Sequence, residues 1–286
     1  MSSPERNEIV TSTGQSERSV VSNIGGHDYQ LVSDDDYLNR VAGKFEPDTV
    51  RLFETLINPN DTVFDIGANI GCTSILFGSR AKRVFSFEPS PTTFQYLKKN
   101  ILSAKLNNVT VVNAGIGAAP GSFELTSSPN NRAGGFVSNH MSASKDHRIE
   151  RIEIIKGDDF VAANAIQRVD FVKIDVEGFE RFVIEGLAGT IARDKPVVTL
   201  ELNHWCLNAF QRMSVPDFFD FLRKVFPCLY AVDNESRDVK NLHDRNDSYH
   251  VMYKHIVFGF KYSNLVGAAN KHQLQRFSEA FGIRIS

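Results

Sequence analysis

A short glycine-containing stretch constrains the fold of this chain more than any other part. Residues 63–66, Val-Phe-Asp-Ile, form an apolar run with one acid, which leads directly into the loop 67–71, Gly-Ala-Asn-Ile-Gly. An apolar helical segment follows, and a second β-type run, residues 84–87, ends at Glu88. Strand, glycine turn, helix, strand and terminal acid together predict one βαβ unit of the kind that binds nucleotides.

Each part of this unit has a physical role in such a site. Gly67 allows a sharp turn, and its missing Cβ lets a ligand approach the backbone. Gly71 lets the following helix pack closely, and that helix presents its first N–H groups to the loop. Glu88 lies 21 residues beyond Gly67, where a carboxylate can accept hydrogen bonds from both hydroxyls of a ribose.

The details of the loop favour one adenosine cofactor over another. A dinucleotide site requires G-x-G-x-x-G, whereas this chain has Asn69 and Cys72 in place of the second and third glycines. Asp65 adds a negative charge beside the turn, which disfavours pyrophosphate and suits the ammonium or sulfonium of S-adenosylmethionine. The alternative is a strand-turn-helix corner that binds no ligand, and Glu88 at the end of the next strand argues against it.

Composition restricts the class of protein further. The chain has 286 residues, of which 42% are hydrophobic, which is enough for one large α/β domain. Its 32 basic and 34 acidic residues give a net charge of −2, so no basic surface for nucleic acid is predicted. The three cysteines are isolated and suggest neither disulfides nor zinc. Neither a secretory signal nor a membrane span is predicted, which favours a cytoplasmic location.

The order of elements along the chain predicts a single domain. Residues 1–23 are read as a flexible tail, and residues 24–286 as one domain with its core at about 43–260. A small strand pair is expected at 24–32 and the last long strand at 249–260. The polar, Gly/Asn-rich stretch 127–147 reads as a long irregular segment that can act as a lid.

Polar and turn residues follow several of the predicted strands. Alternating strands and helices imply a mostly parallel sheet with helices on both faces, and ligands bind such sheets beyond the carboxyl ends of the strands. We therefore expect one shared site from the residues at these ends, which are Asp65, Gly67, Glu88, Asn113, Asp175 and His204.

Four motifs in this order resemble the FkbM-type class I methyltransferases. They are FDIGANIGCTS, FEPSP, FVKIDVEGFE and a strand ending in LEL, and the resemblance covers about residues 43–260. It implies a Rossmann-like, seven-stranded sheet whose last strand is antiparallel, with S-adenosylmethionine as methyl donor. It also implies an acceptor hydroxyl on a small metabolite or glycan. The residues that match the family's cofactor site are Asp65, Gly67, Asn69, Gly71 and Glu88, and the acidic pair after the fourth strand is Asp175 and Glu177.

A hydroxyl acceptor must lose a proton, and a nearby base can contribute about 10²- to 10⁴-fold to the rate. The candidates are His204, Asp175 and Glu177. His204 can equally be a histidine that is hydrogen-bonded to backbone, and Glu177 can be a carboxylate at the start of a helix, where the dipole favours it. A divalent metal held by Asp175, Glu177 and Asn203 is the weaker hypothesis, and no metal is expected.

Two readings from other classes stay open at this point. A non-catalytic protein could retain this sheet and associate through a Phe-rich surface without binding S-adenosylmethionine. A nicotinamide-dependent oxidoreductase could use the same βαβ unit, although the missing glycines argue against it. The identity of the acceptor and the oligomeric state are left open by the sequence.

Overall fold

The computed structural model describes residues 16–128, 130–138, 140 and 145–284. The strands are β1 (Arg18–Ile24), β2 (His27–Ser33), β3 (Gly43–Lys44), β4 (Thr62–Ile66), β5 (Arg83–Phe87), β6 (Val109–Val112), β7 (Gly115–Gly117), β8 (Gly121–Ser128), β9 (Asn131–Val137), β10 (Arg148–Lys156), β11 (Phe171–Ile174), β12 (Val197–Glu201), β13 (Cys228–Asp233), β14 (Asp238–Asn241) and β15 (Asn264–Ala268). The helices are α1 (Tyr37–Val41), α2 (Pro47–Leu56), α3 (Cys72–Arg80), α4 (Pro91–Ser103), α5 (Gly157–Ala163), α6 (Glu180–Gly186), α7 (Ala188–Asp194), α8 (His204–Gln211), α9 (Val215–Val225), α10 (Arg245–Val257) and α11 (Gln275–Phe281), with a 3₁₀ turn at Lys271–Leu274.

The main sheet has the strand order β14-β13-β15-β12-β11-β4-β5-β6. Strands β6, β5, β4, β11 and β12 pair in parallel, and β15 runs antiparallel to both β12 and β13. The predicted Rossmann-like sheet of seven strands, with its last strand antiparallel, is therefore confirmed. The short strand β14 adds an eighth, antiparallel strand at one edge.

The strands are central because both of their faces are apolar. Val63, Val84 and Phe171 pack into a hydrophobic cluster on one face of the sheet. Their neighbours along the strands, including Phe64 and Phe85, pack into a second cluster on the opposite face. Parallel strands covered on both faces by helices are expected to read as continuous apolar runs, as these do. The carboxyl ends of β4, β5, β11 and β12 consequently meet at one edge.

The last strand does not lie where the sequence suggested. The range 249–260 falls mostly within helix α10, and the last strand is β15. The buried residues of α10, Ser248, Val251 and His255, recur at intervals of three and four, which is the helical period. The exposed Tyr, Ile and Val residues between them give this stretch its β-type composition.

The predicted tail needs a correction at its carboxyl end. Residues 18–23 belong to strand β1, which pairs antiparallel with β2 across the turn at Gly25-Gly26. The predicted strand pair at 24–32 is confirmed and is longer than expected. Residues 1–15 lie outside the described residues.

The predicted irregular stretch 127–147 needs a correction too. Residues 131–137 form strand β9, which pairs with β8, and β8 in turn pairs with β10. Residues 129, 139 and 141–144 lie outside the described part of the chain. Among the helices that the structure describes, none combines the length and apolar character needed to cross a bilayer.

Candidate active site

The glycine loop after β4 has the tight geometry that the sequence predicted. Gly67 and Asn69 both have positive φ, at 81° and 49°, and the Gly67 N–H donates to the Phe87 carbonyl at 3.1 Å. A Cβ at Gly67 would lie only 1.8 Å from the backbone oxygen of Asp175. Only glycine fits here, because any side chain would separate the ends of β4 and β11.

Gly71 and Asp65 hold this loop in place through contacts with helices α3 and α4, and they line neither of the two cavities described below. Gly71 begins helix α3 with φ 101°, and a Cβ there would meet the Leu97 side chain at 2.8 Å. The buried Asp65 carboxylate accepts hydrogen bonds from the hydroxyls of Thr73 and Ser74 at 2.8 and 2.6 Å. Asp65 therefore fixes the first turn of α3 onto strand β4.

Glu88 lies where the sequence placed the ribose acid. Its two carboxylate oxygens accept hydrogen bonds from the backbone N–H groups of Asn69 at 3.0 Å and Ser90 at 2.9 Å. The residue is only 7% exposed, and burial raises the pKa of Glu88 to about 7 against these two hydrogen bonds. A carboxylate with two acceptor positions per oxygen retains lone pairs for ligand hydroxyls.

Asn113 contacts the backbone of the turn that carries Glu88. Its side-chain amide donates to the carbonyls of Glu88 at 2.9 Å and Pro89 at 3.1 Å, and it lines neither of the cavities described below. The structure therefore places Asn113 where it holds the turn that carries Glu88.

Two adjoining cavities open at this edge of the sheet. The first has a volume of about 290 Å³ and the second about 230 Å³; together they fall within the range of roughly 300–1,000 Å³ that is typical of small-molecule sites. Glu88 lines only the second cavity. The residues that line both are Tyr37, Glu46, Gly67, Asn69, Asp175 and Glu201.

A buried lysine connects the loop to the acidic residues. Lys173 is only 6% exposed, and its ammonium donates to the Gly67 carbonyl at 2.9 Å. It also lies 3.2 Å from the Asp175 carboxylate and 3.5 Å from that of Asp65. Burial opposes its charge, but Asp175 and Asp65 outweigh burial and keep the pKa of Lys173 above its ordinary value.

Asp175 and Glu201 form a hydrogen-bonded pair of acids. Burial disfavours the charge of Asp175, but Lys173 and the hydrogen bond from Glu201 outweigh it, so the pKa of Asp175 lies below its ordinary value. Burial and the Asp175 charge raise the pKa of Glu201 well above its ordinary value. These opposite shifts favour the proton of the pair on Glu201, since two carboxylates in contact disfavour each other's ionisation.

Glu177 lines the second cavity beside this pair. Helix α6 begins only at Glu180, so Glu177 is not the first residue of a helix but lies in the preceding turn with φ 50°. Its carboxylate instead accepts hydrogen bonds from the Asn203 amide and the Cys206 thiol, each at 3.1 Å. Burial, and then the charge of Asp175, raises the pKa of Glu177.

His204 is the one predicted catalytic residue that the structure does not bring to a cavity. Its ring lies 5.0 Å from the rings of both His255 and Phe260. Burial lowers the pKa of His204, so the imidazole is neutral at pH 7. The Nδ1 atom is buried without a hydrogen-bond partner among the described residues.

Among the described residues, the alternative hypothesis of a metal site has no set of ligands. Asn203 is engaged by Glu177 through its amide nitrogen, and its oxygen accepts from the Cys206 N–H at 3.2 Å. In the part of the chain that the structure describes, no group of three His, Cys, Asp or Glu side chains is arranged to hold a metal ion.

Five polar or charged residues are notable among the cavity-lining residues that sequence reasoning missed. Lys173 and Glu201 lie within the quoted motifs, and a lysine inside an apolar strand was a usable signal for the first of them. Tyr37 and Glu46 come from the segment before the glycine loop, and Arg132 comes from β9. Nothing local to those three positions indicates the site, because only the tertiary structure brings them to the loop.

The cavities fit an adenosine cofactor with a positively charged side chain. Glu88 can accept from ribose hydroxyls at one end. Asn69 lines both cavities, and its side-chain oxygen is buried without a partner among the described residues. Three further carboxyl groups, on Glu46, Asp175 and Glu201, line the same space. S-adenosylmethionine offers both hydroxyl donors and cationic groups to such a surface.

The strand order, the glycine loop and the acid at the end of β5 together define a class I methyltransferase fold. The family model of the methyltransferase FkbM domain matches residues 65–232. That range is more than half of the 286 residues, and the chain belongs to the FkbM methyltransferase family.

Individual relatives are more distant. The chain is 28% identical over 151 residues to the hexuronic acid methyltransferase AglP of Haloferax volcanii, which covers 51% of this chain and 58% of that protein. It is 26% identical over 149 residues to methyltransferase 1 of Beauveria bassiana, covering 45% of this chain and 59% of the relative. The chain thus matches somewhat more than half the length of these two curated relatives.

Among solved structures, an FkbM methyltransferase from Methylobacillus flagellatus is similar with a TM-score of 0.43 and 19% identity. The match covers 60% of this chain and 39% of that one.

Proposed function

We propose that this protein transfers the methyl group of S-adenosylmethionine to a hydroxyl of a small metabolite or glycan. The observation that carries the proposal is the convergence of Glu88, the glycine loop and Asp175 on one pair of cavities at the carboxyl edge of the sheet. Membership of the FkbM methyltransferase family supports methyl transfer. The name of the relative AglP, a hexuronic acid methyltransferase, supports an acceptor of the carbohydrate class.

The bound cofactor would supply an activated methyl group on a sulfonium. The residues of this chain then have three tasks. Glu88 and the loop at Gly67 and Asn69 hold the adenosine part in place. The acidic residues that line the second cavity orient the acceptor hydroxyl, so that its oxygen attacks the methyl carbon while the carbon–sulfur bond breaks. Correct orientation of two reactants contributes up to about 7–11 kcal/mol in favourable intramolecular systems.

The proton of the hydroxyl must go to a base on the protein. Asp175 and Glu177 line the second cavity, which makes them the bases that the geometry supports best. His204 stays a candidate through its neutral imidazole, although its ring lies away from both cavities. The variants Asp175→Asn, Glu177→Gln and His204→Ala should separate these roles, because loss of the base lowers turnover by about 10²- to 10⁴-fold.

Two measurements test the proposal. Calorimetry with S-adenosylhomocysteine and NAD separates a methyltransferase from an oxidoreductase and from a protein that binds neither. Incubation with labelled S-adenosylmethionine and a panel of methyl glycosides, hexuronates and small phenols, followed by mass spectrometry, should show one acceptor class that gains one CH₂. A purified, folded protein that binds no S-adenosylhomocysteine would refute the proposal.

A further inference from the structure

The residue before helix α2 has an unusual backbone and faces the candidate site. Glu46 has φ 24° and ψ 68°, a conformation that non-glycine residues rarely adopt and that is concentrated at functional sites. Two contacts hold it there: the Phe45 N–H donates to the Asn23 carbonyl at 3.1 Å, and the Glu46 carbonyl accepts from the Val50 N–H at 2.9 Å. Glu46 lies outside the range 65–232 that matches the family.

The charge of Glu46 is not neutralised within the described part of the protein. None of the ion pairs there includes Glu46, and the nearby Lys173 ammonium already contacts Asp65, Asp175 and the Gly67 carbonyl. Burial, and in addition the Asp175 charge, raises the pKa of Glu46, while a hydrogen bond from the Thr49 side chain opposes the rise. Because Glu46 and Asp175 both line the first cavity, a positive ligand group there would stabilise their charged forms.

A second feature of the first cavity independently indicates a ligand. Thr199, on strand β12, is 1% exposed and lines this cavity. Its hydroxyl oxygen is buried and has no hydrogen-bond partner among the described residues. A buried polar group without a partner costs about 1–3 kcal/mol, and a ligand group in the cavity would remove that cost.

The relative position of the two cavities identifies which part of the cofactor lies here. Glu88 lines the second cavity and is absent from the wall of the first. Gly67 and Asn69 line both and so form the passage between them. With the ribose at Glu88, the first cavity lies beside one of the two groups that the ribose carries, adenine or the amino-acid portion. The carboxyl groups of Glu46 and Asp175 on its wall favour the amino-acid portion, because that portion carries the ammonium group.

We propose that Glu46, together with Asp175 and the Thr199 hydroxyl, binds the α-ammonium group of the amino-acid portion of S-adenosylmethionine in the first cavity. This inference rests on the proposed function and adds a subsite to it. The segment before the glycine loop thereby completes the cofactor site, and Glu46 selects ligands that carry the amino-acid group.

The test compares two ligands that share the adenosine part. S-adenosylhomocysteine carries the ammonium group, and 5′-methylthioadenosine lacks the amino-acid portion. We expect Glu46→Gln to weaken S-adenosylhomocysteine about 10- to 100-fold, the loss of one charge-assisted hydrogen bond, and to leave 5′-methylthioadenosine unchanged in calorimetry at pH 8. The control Asp48→Asn removes a carboxylate in the first turn of helix α2 that pairs with Arg51 at 3.3 Å, and it should bind both ligands like the wild type.

Several results would overturn the inference. Equal losses for both ligands would place Glu46 at the adenosine part, and no loss would remove it from the site. A loss seen with S-adenosylmethionine but not with S-adenosylhomocysteine would assign Glu46 to the sulfonium instead. If Glu46→Gln does not fold, Glu46→Asp retains the charge and should still bind S-adenosylhomocysteine more tightly than 5′-methylthioadenosine. Equal affinity of that variant for the two ligands would refute the subsite. A wild-type protein that binds 5′-methylthioadenosine but gains nothing from the amino-acid group overturns the subsite alone, whereas one that binds neither ligand overturns the proposed function as well.

Discussion

Under the proposed function, the raised pKa of Glu88 should make cofactor affinity depend on pH near neutrality. The carboxyl group is buried and its pKa is raised to about 7, while both oxygens already accept backbone hydrogen bonds from Asn69 and Ser90. Ribose hydroxyls donate to the ionised form and lose an acceptor when the group is protonated. Affinity for S-adenosylhomocysteine should therefore rise with pH between 6 and 8.

The magnitude follows from the fraction of ionised Glu88. With a pKa of about 7, roughly one molecule in ten has the ionised carboxylate at pH 6 and roughly nine in ten at pH 8. Because apparent affinity scales with the competent fraction, the dissociation constant should fall about tenfold over this range. Calorimetry in buffers of different ionisation enthalpy should detect the release of about one proton at pH 6.

The stability of the ligand-free protein should change in the opposite direction. A folded pKa raised from 4.5 to about 7 means that the folded protein holds a proton which the unfolded chain releases. Glu88 therefore lowers the free energy of unfolding as pH rises from about 4.5 to 7, by up to about 3 kcal/mol. Burial also raises the pKa of Glu180 to about 7, so Glu180 has the same effect on stability. The contribution of Glu88 must therefore be measured by comparing the wild type with a variant that lacks the Glu88 carboxylate.

The variant Glu88→Gln isolates the contribution of this one group. It should bind S-adenosylhomocysteine weakly at every pH and lose the tenfold dependence, while the stability change due to Glu180 remains. An affinity of the wild type that is flat from pH 6 to 8, or a variant with an unchanged pH dependence, would show that Glu88 is not the titrating group. A variant that binds as tightly as the wild type at pH 8 would show that Glu88 does not contact the ribose.

Three further predictions concern the glycine loop, the buried ion pair of Arg132 and the need for a metal. Gly67→Ala should cost at least about 3 kcal/mol in urea unfolding, because its Cβ would overlap the Asp175 carbonyl; Gly134→Ala, where a Cβ meets nothing within 4 Å, is the control, and equal stability of the two would contradict the close approach. Arg132→Ala should cost about 3–5 kcal/mol, because it leaves the buried Asp34 and Asp35 carboxylates without their cation, and the exposed Arg151→Ala should change unfolding little; similar losses in both would refute a structural role for the Arg132 ion pair. Methyl transfer should persist after treatment with a chelator, and activity that disappears and returns with magnesium would contradict metal independence.

The local sequence was sufficient for the elements around the glycine loop. Apolar runs marked the central strands, whose two faces are buried. Ser90 followed by Pro91 is a typical helix start, and the Ser90 hydroxyl accepts from the Thr93 N–H at 3.1 Å at the beginning of α4. The need for glycine at position 67 was also readable, because D-x-G-x-N-x-G specifies a sharp turn. These features depend on neighbouring residues alone, which is why sequence reasoning reached them.

Helix α10 shows where local reasoning failed. Its exposed Tyr249, Tyr253 and Ile256 suggested a strand by composition, although Asp244 caps the helix by accepting from the N–H groups of Asn246 and Asp247. On this surface helix the residue types suggest a strand, whereas the spacing of the buried residues is helical. Which residues are buried depends on what packs against the helix. The tertiary structure alone shows that Val251 and His255 face inward.

The sequence by itself determined the βαβ unit, the acid at the end of β5 and the family, since all three depend on contiguous motifs. Only the tertiary structure decided which side chains complete the site. Glu46 and Glu201 are 155 positions apart in the chain, yet they line the same two cavities as Asp175. The physical reason is that strand order in a parallel sheet, and not distance along the chain, determines which carboxyl ends are neighbours.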